Sequence, residues 1–73
     1  MTATLTFYDY DRKSNRGICF SFLDRTLGLQ VERVDLDKLV VEMEGYNKKD
    51  FERYLIPYMH HGYGGVQTIE YTT

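Results

Sequence analysis

Cys19, the His60-His61 pair, the Gly62-Tyr63-Gly64-Gly65 run and the cations of Arg12 to Arg16 are the residues whose types and spacing could do chemistry. Cys19 follows Arg16 by three residues, where a nearby cation and a helix start would lower a thiol pKa and favour a thiolate nucleophile. Free cysteine is also among the most buried residue types, and burial is the expectation adopted for Cys19. As the single cysteine it cannot form an internal disulfide, which fits a reducing, cytoplasmic setting. His60 and His61 are adjacent, so on a helix their side chains diverge by about 100° and do not share a metal ion. Neither Asp nor Glu lies within four residues of them, so they read as a solvated helix end and no metal or cofactor is expected.

Gly62-Tyr63-Gly64-Gly65 resembles a phosphate-cradling loop but precedes a predicted strand. Such loops work by opening a helix whose N–H groups meet the phosphate, so a plain turn is expected. Arg12, Lys13, Ser14, Asn15 and Arg16 make the stronger anion candidate, because three cations would crowd the positive end of the first helix. A phosphate- or nucleotide-binding regulator using this segment is the alternative function. No Ser/His/Asp arrangement or paired-carboxylate site stands out, so a non-enzymatic role is expected.

The elements that would position these residues follow from periodicity. Thr4 to Tyr10 alternates, with Leu5 and Phe7 set against Thr4, Thr6, Tyr8 and Tyr10, as in a half-buried strand. Asp11 to Gly17 reads as a polar loop with Ser14 and Asn15 as candidate helix caps. Ile18 to Leu27 fits both periods, since Ile18, Phe20 and Phe22 alternate while Ile18, Cys19, Phe22, Leu23 and Leu27 trace one helical face. Gly28 after Leu27 has the form of a helix C-terminal glycine and decides for helix.

Leu29–Leu36 and Lys38–Glu44 then form a hairpin that reverses at Asp35 to Lys38, with Leu39, Val41 and Met43 inward. Asn47 caps a second helix from Lys48 carrying Phe51, Leu55 and Met59 on one face, and Pro57 kinks or ends it near Ile56. Gly62 to Gly65 turns into a last strand, Val66 to Thr72. The order predicts an α+β class, a ferredoxin-like βαββαβ sandwich with a four-stranded antiparallel sheet and two helices on one face. A thioredoxin-like start and a more strand-rich sheet are the alternatives.

Seventy-three residues make one small domain, 1–73, which buries only about 60% of its unfolded surface and has no room for a deep cavity. With 42% hydrophobic and 27% charged residues the chain is expected to fold, and its net charge of −2 does not favour non-specific nucleic-acid binding. The N-terminus has no secretory pattern, and no apolar run approaches the ~20 residues that span a bilayer.

The open face of such a sheet would carry Tyr8, Tyr10, Glu42, Glu44 and Glu70. Carboxylates repel a phosphate backbone but suit a protein partner with a basic surface, and Tyr supplies contact area at low entropy cost. The expectation is therefore a small protein-binding module, an inhibitor or modulator of a host nucleic-acid-handling protein. Its size and lack of chemistry are those of products that phages and mobile elements use for this purpose. The surplus of Tyr and Val side chains and an open edge strand further predict a homodimer.

Overall fold

The computed structural model describes residues 1–9, 12–58 and 65–72, with the side chains of Arg12 and Pro57 outside the description. Strand β1 (Thr2–Phe7) is followed by helix α1 (Arg12–Ser21), a π-helical turn (Phe22–Thr26), strands β2 (Val31–Asp35) and β3 (Lys38–Glu42), helix α2 (Lys48–Leu55), a 3₁₀ turn (Ile56–Tyr58) and strand β4 (Val66–Thr72). The strands form one antiparallel sheet in the order β2-β3-β1-β4, so the class is α+β. β1 is not beside β2, as a thioredoxin-like start would require, and Phe22 lies in helix rather than in the extra strand of a strand-rich sheet.

Strict alternation in β1 sorts the two faces of the sheet. Ala3, Leu5 and Phe7 are buried, while Thr2, Thr4 and Thr6 are half-buried on the other side. Pairing carries that sorting across: Ala3 and Leu5 stand opposite Val41 and Leu39 on one flank and opposite Tyr71 and Ile69 on the other. Both helices cover this apolar face, adding Cys19, Leu23, Phe51 and Leu55 to the core. Arg33 of β2 stacks over the Phe20 ring of α1 at 4.3 Å, and Tyr71 of β4 meets Lys48 of α2 at 4.9 Å.

Helix ends behave as their sequences direct. The Asn47 side chain accepts the Asp50 N–H at 2.8 Å, supplying the predicted N-cap, and Asp50 favours the positive end of the dipole. α2 stops at Leu55 ahead of Pro57, and the Ile56 N–H closes a tighter bond on the Arg53 carbonyl. Gly28 has φ +67° and lets the chain reverse after the π turn, with the Leu27 N–H on the Phe22 carbonyl at 3.2 Å and the Leu29 N–H on the Leu23 carbonyl at 3.0 Å. The wider i+5 spacing keeps Leu23 buried and leaves Phe22 against Tyr58, ring centroids 5.2 Å apart.

Three sequence expectations need correction. β1 begins at Thr2 and ends at Phe7, because Met43 donates its N–H to the Met1 carbonyl and extends the pairing toward the N-terminus. Residues 12–17 are the first turns of α1 and not a loop, so Ser14 and Asn15 are not caps. Asn15 instead turns inward, 5% exposed, and Gly65 approaches it closely from the start of β4. Ile18, expected on the apolar face, is 56% exposed, because Asn15, Cys19 and Leu23 hold the inward stripe at i, i+4 and i+8. Tyr10, Met59, His60, His61, Gly62, Tyr63 and Gly64 lie outside the described residues.

Gly28 and Gly65 share φ +67° but differ in surroundings: a Cβ at Gly28 meets nothing within 4 Å, whereas one at Gly65 would lie 2.6 Å from Asn15 Nδ2. Gly28→Ala is expected to lose about 1–2 kcal/mol from the left-handed backbone alone, and Gly65→Ala measurably more in urea unfolding. Equal losses would mean that Asn15 moves aside without penalty.

Candidate protein-binding surface

The face of the sheet away from the helices is made of cross-strand rows. Glu32, Val40, Thr4 and Glu70 stand opposite one another in succession across all four strands. Glu42, Thr2 and Thr72 form the row on one side of it, and Lys38, Thr6 and Thr68 the row on the other. Thr2 Oγ1 donates to Glu42 Oε1 at 2.9 Å, which holds that carboxylate against the sheet.

Toward the β2 edge the surface dips into a shallow groove of about 550 Å³ lined by Asp24, Gln30, Val31, Glu32, Val40 and Glu42. A second depression of about 300 Å³, lined by Leu27, Gly28, Leu29, Gln30, Glu42 and Glu44, shares Gln30 and Glu42 with it. Four carboxylates and no cation are among these lining residues. Val31, Val40, Leu27 and Leu29 supply the apolar part, giving a basin lined by both carboxylates and apolar side chains.

Three elements build this basin. The π turn presents Asp24, the Gly28 reversal brings the chain back so that Gln30 accepts the Glu42 N–H at 3.0 Å, and β2 then places Glu32 on the open face opposite Val40. Of the residues proposed from sequence, Glu42 and Glu44 line the basin, and Glu70 stands on the Glu32 row three strands away, about 14 Å at the usual strand spacing. Tyr8 lies just beyond β1, its N–H on the Gly65 carbonyl at 2.7 Å. Glu42 pairs with Thr2 at the opposite end of β1, so about 20 Å of strand separates the tyrosine from that carboxylate. Asp24 and Glu32 were missed, although the alternation of Val31 and Arg33 about Glu32 was a usable signal.

The cation set is divided by the helix. Lys13 and Ser14 are exposed on α1, whereas Asn15 points into the core. Arg16 is half-buried and its Nη1 donates to the Asp35 carbonyl at the end of β2. Arg12 opens the helix. Lys38 pairs with Asp37 at 3.4 Å, a partly exposed contact of little energetic weight.

Cys19 is fully buried, and removal from water pushes its thiol up to about 12. Tyr71 is raised from its ordinary value first by burial and then by donating its hydroxyl to Glu52 Oε2 at 2.6 Å. Among the described residues no group of three or more His, Cys, Asp or Glu side chains could hold a metal ion, and no helix is long and apolar enough to cross a membrane. No protein-family model matches the chain, and no curated protein or solved structure compared with it does either, so its function is read from its own residues.

These shifts have a signed consequence. Both groups fold in the protonated form, so the stability each contributes is complete below its unfolded value, near 9.0 for Cys19 and 10.0 for Tyr71, and declines as pH rises above it, for Cys19 until about 12. The urea midpoint is expected to fall across that window, and to fall less in Tyr71→Phe. A midpoint independent of pH up to 11 would contradict the burial of Cys19. Alkylation of Cys19 at pH 8 should likewise be slow in the native protein and fast in urea.

Proposed function

We propose that this chain is a non-enzymatic protein-binding domain whose acidic basin receives a basic surface of another protein. The observation that carries the reading is the charge at the β2 edge: Asp24, Glu32, Glu42 and Glu44 line two adjoining depressions that share Gln30 and Glu42, with no cation among their lining residues. A basin of this kind fits Arg or Lys side chains, whose aliphatic stems can cover Val31 and Val40 while their charged ends meet the carboxylates. We further read the strand order β2-β3-β1-β4, with a helix after β1 and another after β3, as the ferredoxin-like arrangement.

Carboxylates arrayed on a rigid sheet compete for the same protein surfaces that bind phosphate backbones. The basin therefore supports the role of an inhibitor or modulator of a protein that handles nucleic acid, binding that protein and not the nucleic acid. Binding through Arg12 to Arg16 finds less support, because Asn15 is turned to the core and Arg16 is engaged with Asp35.

Capture from a cell lysate by the wild-type chain and by the double variant Glu32→Lys/Glu42→Lys tests this directly. The partner retained by the wild type is expected to be lost by the variant, to weaken with added salt, and to be displaced by duplex DNA. A partner held equally by both, insensitive to salt, would refute the acidic basin as the binding surface. Far-UV circular dichroism of the variant should match the wild type, since both side chains face outward.

A further inference from the structure

We propose that β4 is a self-pairing edge: two copies of the chain join through antiparallel β4 strands centred on Ile69, making one eight-stranded sheet. The direction of the backbone groups follows from the pairs already described. Odd residues of β1 turn their polar groups toward β3, as the Phe7 N–H on the Asp37 carbonyl at 2.8 Å and the Met1 carbonyl under the Met43 N–H at 2.9 Å show. Even residues turn toward β4, as the Tyr8 N–H on the Gly65 carbonyl shows. Thr68, Glu70 and Thr72, opposite Thr6, Thr4 and Thr2, therefore spend their backbone groups on β1. Ile69 and Tyr71 aim theirs outward, and β4 has no neighbouring strand on that side among the described residues.

Register selects the centre. Ile69 is the middle residue of Val66–Thr72, so a two-fold axis there overlaps the full strand. It also sets Glu70 opposite Thr68 of the second copy, on the open face, with no like charges in contact. Centring on Glu70 would oppose two carboxylates, and centring on Thr68 would shorten the overlap and run into the bulge between Thr6 and Phe7. The other edge is defended: β2 carries Glu32, Arg33 and Asp35 in five residues, and Arg16 covers the Asp35 carbonyl. β4 holds one charge in seven residues.

This interface lies on the opposite edge from the acidic basin, so it leaves that surface open and its test is separate. One strand pair buries less than the roughly 1,200 Å² of a standard complex, so the dimer forms reversibly with concentration. Sedimentation of the full chain is expected to show a species rising from 8.7 kDa toward twice that mass as concentration reaches the millimolar range. Thr68→Glu should raise the dissociation constant roughly tenfold by opposing Glu70 of the second copy, and Thr68→Lys should lower it severalfold. Both side chains face solvent, so circular dichroism should be unchanged for each. Ile69→Cys in a Cys19→Ala chain should oxidise to a symmetric disulfide dimer, since directly opposed Cα atoms sit within bridging distance. A wild-type chain that stays monomeric at all concentrations would overturn the proposal. So would a dimer whose dissociation constant ignores the sign of the charge at position 68.

Discussion

The alternation of β1 is the constraint on which the rest of this small structure depends. Because Ala3, Leu5 and Phe7 point one way and Thr2, Thr4 and Thr6 the other, a central strand with partners on both flanks imposes the same division on the whole sheet. A register slip of one residue would send Leu39 and Val41 to solvent and Val40 and Glu42 into the core, so the hydrophobic effect fixes the pairing tightly. The two helices close only the apolar face, and the polar face remains a threonine-rich surface with most of its carboxylates gathered around the depressions at the β2 edge.

Much of this was legible in the residues. Alternation at Lys38–Glu42, the Asn47 cap and Gly28 after the first helix each express a local rule, and a local rule can be read without knowing the rest of the chain. The start of α1 was not legible, because Ser14, Asn15 and Gly17 carry loop signals that a tertiary contact overrides: Asn15 packs on Gly65, which is remote in sequence. The π turn was also hidden, since it shifts the helical period by one residue where Phe22 and Leu23 satisfy either spacing.

The candidate surface was half visible for the same physical reason. Glu42 and Glu44 belong to one strand and its exit, so their common position follows from sequence order. Asp24 and Glu32 join them only through the Gly28 reversal and the β2–β3 register, which no single segment encodes. Conversely, Tyr8 has the right parity for the open face, yet antiparallel pairing carries Glu42 to the other end of β1. Membership of one face is a matter of parity. Proximity on that face is a matter of register.

The proposed binding surface is the acidic basin and not the first helix. Amide chemical-shift mapping of the labelled protein with an arginine-rich peptide and, separately, with a short duplex DNA tests it most directly. Peptide-induced shifts are expected at Asp24, Gln30, Glu32, Val40 and Glu42, fading as salt is raised, with no saturable shifts from DNA. Saturable DNA-induced shifts at Lys13 and Arg16, with the basin residues unmoved by the peptide, would contradict it.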